Sequence, residues 1–196
     1  MSSSKKGCRS SMSRKAVFLD RDGVINVDHA YVHKIEDFQF IEGVFEACQY
    51  FCEQGYLIVI VTNQSGIGRG YYTEQQFHQL STWMCQEFKR HDVVISQVYF
   101  CPHHPKQALP EYLTDCTCRK PQPGMLNQAI AEFDIDVAQS VMVGDKISDI
   151  QAARAAGVNT AILVESGQIF DRKTMELADF VCSSLKNVPS IMSSTS

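Results

Sequence analysis

Apolar runs of strand length recur along the chain: K-A-V-F-L-D at 15–20, Y-L-I-V-I-V-T at 56–62, I-S-Q-V-Y-F at 95–100, S-V-M-V-G at 140–144, N-T-A-I-L-V at 159–164, and a shorter run at 179–182. Several are almost unbroken by polar residues, the pattern of parallel strands covered on both faces. Helical periodicity fills the intervals. Residues 43–53 repeat apolar side chains at Val44, Ala47, Cys48, Phe51 and Cys52, and residues 74–90 at Phe77, Leu80, Met84, Cys85 and Phe88. Thr73-Glu74-Gln75-Gln76 reads as a capping box at the start of the second helix. Further helices are expected over 124–133 and 149–156, the latter with Ser148 as N-cap. Strand and helix in alternation predict a doubly wound, Rossmann-like α/β domain with a mainly parallel sheet. Its expected limits are 14–190, with polar tails at 1–13 and 191–196. No internal repeat or linker divides it.

The bulk properties narrow the function. A chain of 196 residues can enclose one sizeable core, and a hydrophobic fraction of 44% is that of a globular protein. The formal charge of −4 gives no general affinity for polyanions, so no nucleic-acid partner is expected. The basic, polar N-terminus lacks the apolar segment of a secretory signal, and Met12 offers a second start. No run is long enough to span a bilayer. A cytoplasmic monomer is the expectation. In that compartment the eight cysteines are thiols. Cys48, Cys52, Cys85 and Cys182 fall on core patterns and Cys8 in the tail, which leaves Cys101, Cys116 and Cys118 to be explained.

Those three lie in the one segment that breaks the alternation. Residues 101–123 hold five of the six prolines, and so long a loop in a compact domain is usually functional or held by something. It opens C-P-H and closes C-T-C. Cys101, His103, Cys116 and Cys118 make the donor set of a closed, tetrahedral zinc site, with His104 a spare. Such a Zn²⁺ is structural, clamping loop 101–118.

The strand ends carry the remaining chemistry. The first closes in Asp20-Arg21-Asp22-Gly23, the second in Thr62-Asn63-Gln64-Ser65. The loop after the third exits through Arg119-Lys120-Pro121, and the fourth strand closes in Gly144-Asp145-Lys146-Ile147-Ser148-Asp149. In a parallel sheet these ends converge on one edge. Three converging carboxylates call for a cation, and hard oxygen donors beside a phosphate suit Mg²⁺. Asp20 is then the nucleophile that becomes an aspartyl-phosphate, and Asp22 the general acid and base. Thr62 and Lys120 hold the phosphoryl oxygens, Asp145 binds the metal, and Asp149 orients Lys120 or a metal-bound water.

With D-x-D-G, T-N, K-P and G-D-x-x-x-D in this order, the chain resembles the haloacid dehalogenase superfamily. Through F-L-D-R-D-G-V-I-N-V-D-H-A-Y-V-H, V-T-N-Q-S-G-I-G-R-G, Y-F-C-P-H-H-P, C-T-C-R-K-P-Q-P-G-M-L and M-V-G-D-K-I-S-D it is similar to the D-glycero-D-manno-heptose 1,7-bisphosphate 7-phosphatase family. Val24 stands where Thr is more usual, and Ala30 where Gly often is. The resemblance covers residues 16–186. It implies hydrolysis of the 7-phosphate to give heptose 1-phosphate for nucleotide-activated heptose and the lipopolysaccharide core. It also implies Mg²⁺ on Asp20, Asp145 and the Asp22 backbone carbonyl, and zinc on Cys101, His103, Cys116 and Cys118. The intervals 21–61 and 63–119 leave no room for a cap domain. Substrate selection is therefore expected from Asp28, His29, Ala30 and Tyr31, from Asn63, Gln64 and Ser65, and from Arg119. Arg119, Lys146 and Arg69 are the candidates for a second phosphate. A histidinol-phosphate phosphatase is the alternative enzyme, although its cationic substrate should favour an acid where this chain has Arg119 and Lys146. A polynucleotide phosphatase lacks the basic stripe it needs. A non-catalytic zinc-stabilised binding module has no need of the intact acid, hydroxyl and lysine set.

Overall fold

The computed structural model describes residues 13–194. The tail expected over 1–13, with Cys8 and Met12, lies outside them except for its last position. Six parallel strands form one sheet: β1 (Ala16–Leu19), β2 (Leu57–Asn63), β3 (Ile95–Cys101), β4 (Val141–Gly144), β5 (Thr160–Val164) and β6 (Phe180–Cys182), in the order β3-β2-β1-β4-β5-β6. Phe18 pairs in register with Val59 on one side and Met142 on the other. The helices are α1 (Val44–Glu53), α2 (Ser65–Gly68), α3 (Glu74–Arg90), α4 (Gly124–Phe133), α5 (Ile147–Ala155), α6 (Arg172–Met175) and α7 (Val188–Ser194). No helix among the described residues is long and apolar enough to cross a membrane.

Successive strand residues point to opposite faces, so a strand buried on both sides must be apolar at every position. Val17, Leu19, Ile58, Ile60, Val143, Ile162 and Val164 face α1, α3 and α7, meeting Val44, Phe51, Leu80, Met84, Phe88 and Met192. Ala16, Phe18, Val59, Val61, Met142, Ala161 and Leu163 face α4 and α5, meeting Met125, Leu126, Ala129, Ile150 and Ala153. Cys48, Cys52, Cys85 and Cys182 all lie in or against the first of these cores. The capping box at Thr73 is present, its hydroxyl accepting from the Gln76 N–H at 3.1 Å.

The structure departs from the expected elements in several places. Helix α5 starts at Ile147, with Lys146 rather than Ser148 at its N-cap. Its first turn is closed from within, because the Asp149 carboxylate accepts the Lys146 N–H at 3.0 Å. The C-terminal tail expected from 191 is helical through Ser194 in α7, where Val188 and Met192 are buried and Ile191 packs on the core. Helix α2 was not foreseen, since S-G-I-G is a single turn with two glycines and has no period to read.

The strand order reverses between β1 and β4, and the crevice beyond their carboxyl ends is the place where open α/β sheets bind ligands. Asp20 and Asp145 follow these two strands directly. The extent of the core gives a first prediction. Removing residues 191–196 takes away Ile191 and Met192 and should cost about 2–4 kcal/mol. A thermal melt should then show Tm lowered by at least ~5 °C. An unchanged Tm would return the edge of the folded unit to 190.

Candidate active site

The turn after β1 is held by its own backbone. The N–H groups of Val24, Ile25 and Asn26 converge on the Arg21 carbonyl, and the Asp20 N–H reaches across to Val143 on β4. Gly23 takes φ +85°, and a Cβ there would lie 2.2 Å from Asp145 Oδ2. Position 23 must be glycine both for its backbone and for the neighbouring carboxylate.

Asp20, Asp145 and Asp149 are all buried, and a carboxylate oxygen of each lies within 4.8 Å of the others. Lys120 enters from the loop before α4. Its Nζ sits 3.0 Å from Asp20 Oδ1 and 2.6 Å from Asp149 Oδ1, and donates to the Val61 carbonyl at 2.8 Å. Burial opposes the lysine's charge, but Asp149 and Asp20 outweigh it and push its pKa up. Three acids against one lysine leave negative charge over. Burial, then the charge of Asp20, raises Asp145 to about 8, and the same causes raise Asp149 to about 6. Both oxygens of Asp149 are engaged, one with Lys120 and one with the Lys146 N–H. Asp145 Oδ1 is buried without a hydrogen-bond partner and meets only Lys146 Nζ at 3.8 Å, a looser pairing than the 2.6 Å between Asp149 and Lys120. The carboxylates of Asp20 and Asp145 thus fit a divalent cation, while Asp149 is the partner of Lys120.

Asp22 faces a different environment. The Arg21 guanidinium bonds both its oxygens at 2.9 and 3.0 Å, Asn26 Nδ2 donates at 3.0 Å and Gln64 Nε2 at 3.1 Å. Burial works against its charge, yet the charge and hydrogen bonds of Arg21, the bond from Asn26 and the charge of Lys146 prevail and hold its pKa below the usual carboxylate value. Thr62 Oγ1 accepts from Gln64 Nε2 at 2.8 Å.

The residues expected to meet substrate divide into two groups. His29, Ala30 and Tyr31 line an open cavity of about 840 Å³ together with Tyr71. Ala30 and Tyr31 both adopt left-handed backbone, φ 59° and 57°, which explains why glycine suits position 30. Asp28 turns back to bond the Ala30 N–H and lies 3.7 Å from Lys146 Nζ. Arg119 bonds the His103 carbonyl. Together with Arg69 and Lys106 it surrounds His104, whose pKa is lowered by burial and by these cations. Ser65 opens α2. Asn63 and Gln64, however, point inward. Asn63 Nδ2 donates to the Lys120 carbonyl and its Oδ1 accepts the Lys120 N–H, both at 3.0 Å. Gln64 is buried, with all its amide atoms bonded to protein. The hydrogen bonds of these two amides run to Lys120, Asp22, Thr62 and Tyr72.

Cys101 Sγ, His103 Nδ1, Cys116 Sγ and Cys118 Sγ come within 4.8 Å of one another, a candidate metal centre. His104 is not part of this cluster; its Nδ1 accepts the N–H groups of Lys106 and Gln107. Burial raises the Cys116 thiol, but hydrogen bonds from Cys118 and the Arg119 N–H bring it down to about 7. A thiolate is therefore at hand in the cluster near neutral pH.

The loop after β5 was missed. Ser166 Oγ donates to the Gly23 carbonyl at 2.6 Å and Gln168 Nε2 to the Asp145 carbonyl at 2.7 Å. A Cβ on Gly167 would lie 1.9 Å from Asp145 Oδ2. Asp145 is thus seated between two glycines. The signal was available: Glu165-Ser166-Gly167 ends a strand at the same sheet edge.

A D-x-D-G turn after β1, a buried lysine from the loop exit and an acid pair after β4 define a haloacid dehalogenase-like hydrolase, and residues 117–188 match a family model described as HAD-hydrolase-like. The chain is 53% identical over 175 residues to D-glycero-beta-D-manno-heptose-1,7-bisphosphate 7-phosphatase of Haemophilus ducreyi, covering 89% of this chain and 96% of that one. It is 49% identical over 174 residues to the protein of that name from Escherichia coli, covering 89% and 91%. Among solved structures, D,D-heptose 1,7-bisphosphate phosphatase of B. bronchiseptica, complexed with magnesium and phosphate, superposes with a TM-score of 0.80 at 30% identity, covering 93% and 99%. The chain belongs to the D-glycero-beta-D-manno-heptose-1,7-bisphosphate 7-phosphatase family.

The excess negative charge gives a test. Asp145 has a folded pKa above its unfolded value, so the metal-free protein loses stability as pH rises from about 4 through about 8. Asp145→Asn should raise the metal-free Tm at pH 8 by a few degrees and remove the Tm increase that Mg²⁺ gives the parent chain. A Tm that falls in the variant, or a retained Mg²⁺ response, would contradict this.

Proposed function

We propose that this chain hydrolyses the C7 phosphate of D-glycero-D-manno-heptose 1,7-bisphosphate and releases heptose 1-phosphate, a precursor of nucleotide-activated heptose for the lipopolysaccharide core. The observation that carries the reading is the buried Asp20–Lys120–Asp149 arrangement with Asp22 beside it, in a chain about half identical to phosphatases named for this substrate. Their name specifies the β anomer, and we take that as the substrate here.

Asp20 is the group that attacks phosphorus. Lys120, kept charged by its two acids, neutralises the transferring oxygens, and Thr62 donates its hydroxyl proton to them. Asp22 protonates the leaving sugar alkoxide and then, as carboxylate, takes a proton from the water that opens the aspartyl-phosphate. Its strong hydrogen-bond environment suits the ionised state needed for the second step. Asp20, Asp145 and the Asp22 backbone carbonyl would hold Mg²⁺, which when bound offsets repulsion between nucleophile and phosphate. Cys101, His103, Cys116 and Cys118 would hold Zn²⁺ with no position open for water, a structural role. Reduced thiols in that role imply a cytoplasmic enzyme. We take the protein to be a monomer.

Arg119, which with Arg69 lies close enough to His104 to lower its pKa, suits the second phosphate, and Lys146, 3.7 Å from Asp28, is a further candidate. These cations disfavour the amine of histidinol phosphate.

Phosphate release should show kcat/KM highest for the β bisphosphate, lower for the α anomer, and lower by about two orders of magnitude or more for histidinol phosphate. Asp20→Asn should reduce turnover at least ~10³-fold. A preference for histidinol phosphate would retain the chemistry and overturn the substrate. Elemental analysis should find one zinc per chain, absent in Cys118→Ser. That variant should also lose kcat, because Arg119 and Lys120 directly follow Cys118.

A further inference from the structure

Among the described residues, Gln64 is the one side chain that hydrogen-bonds both Asp22 and Thr62. Its Nε2 carries two hydrogens and gives one to Asp22 Oδ2 at 3.1 Å and one to Thr62 Oγ1 at 2.8 Å. On the far side, Oε1 accepts a hydrogen bond from the Tyr72 hydroxyl. This arrangement fixes the amide orientation, because the flipped form would set a carbonyl oxygen against the Asp22 carboxylate. The backbone is equally fixed: the Gln64 N–H bonds the Cys101 carbonyl at the end of β3. Tyr72 is buried, and its ring stacks on His33 at 4.8 Å.

From this we propose that Gln64, anchored by Tyr72, is a positioning residue that holds the general acid/base Asp22 in register with the phosphate-binding hydroxyl of Thr62. The inference rests on the assignment of Asp22 and Thr62 made above. The chemistry of each contact supports it. Thr62, accepting from Gln64, keeps its own O–H proton free to turn toward a phosphoryl oxygen. Asp22 receives Arg21 and Asn26 from its own turn, which moves with it. Beyond the β1–β2 ladder, the side-chain bond from Gln64 is the one among the described residues that ties Asp22 to the end of β2, on which Thr62 lies. Proton delivery to an alkoxide depends on distance and angle at the reacting oxygen, and the amide is what sets the separation of these two groups.

The test uses leaving groups. A sugar alkoxide needs a proton from Asp22, whereas p-nitrophenolate leaves without one. For each, kcat/KM reports steps only as far as formation of the aspartyl-phosphate. Gln64→Met keeps the length and volume of the side chain and removes both donors. It should lower kcat/KM for heptose 1,7-bisphosphate by about 10²-fold, near the low end of what general acid catalysis contributes. The loss with p-nitrophenyl phosphate should be only a few-fold, from the Thr62 contact. Tyr72→Phe, which removes a single hydroxyl, should show the same selective loss at smaller size, and covers the case in which Gln64→Met does not fold. Equal losses on both substrates in these variants would overturn the proposal. Asp22→Ala separates the two levels. If Asp22→Ala is leaving-group selective and the Gln64 and Tyr72 variants are not, only this inference fails. If Asp22→Ala is not selective, the acid assignment fails and the inference with it.

Discussion

The buried ion triad of Asp20, Lys120 and Asp149 is the constraint on which the rest of the site depends. A lysine fully removed from water is tolerated only when paired and hydrogen-bonded, and here two carboxylates and the Val61 carbonyl surround the ammonium. The three residues come from the end of β1, the loop before α4 and the first turn of α5. Their pairing therefore fixes three distant segments against one another. It also leaves a deficit of two positive charges, since Asp145 adds a third carboxylate against the one lysine. That deficit is what makes the crevice between β1 and β4 a place for a cation and a phosphate together.

Around this centre the structure uses neutral groups to aim charged ones. Asn63 matches both backbone groups of Lys120, so the lysine's approach is set by the end of β2. The same loop is fixed two residues earlier at Cys118, one corner of the thiol and imidazole cluster. A structural metal there would act on catalysis at short range, by stiffening the segment that delivers Lys120. Asp145 is handled by exclusion instead. Gly23 and Gly167 leave room for one carboxylate between them, and bonds from Ser166 and Gln168 close the seat.

The Asp22 carboxylate stands apart from those of Asp20, Asp145 and Asp149. Arg21, lying near the rings of Phe38 and Phe77, is almost wholly buried and bonds Asp22 and the Val32 carbonyl. The guanidinium thus links the catalytic turn to the loop bearing His29, Ala30 and Tyr31. Two neighbouring acids two residues apart are in this way given opposite surroundings: Asp20 a lysine and an acid-rich crevice, Asp22 a cage of hydrogen-bond donors. Difference of environment is what lets two like side chains take different roles.

Much of this was legible in the chain itself. All six strands and the four longer helices follow from apolar periodicity, because burial on two faces or on one leaves different patterns. The acids, the hydroxyl, the lysine and the four sulfur and nitrogen donors are recognisable because each sits at a strand end or in one proline-rich loop. The direction of a polar side chain is another matter. Asn63 and Gln64 occupy the same strand end as Thr62 and read as substrate contacts, yet their partners, Lys120 and Tyr72, approach from other segments and turn them inward. Helix α7 and the Ser166–Gln168 loop escaped for a similar reason, since a short segment gains its place from what it packs against. Local pattern determined which elements form and which chemistry they carry. Only the tertiary structure decided which polar groups face the ligand and which hold their neighbours, because hydrogen bonds between distant segments leave no periodic trace in the sequence.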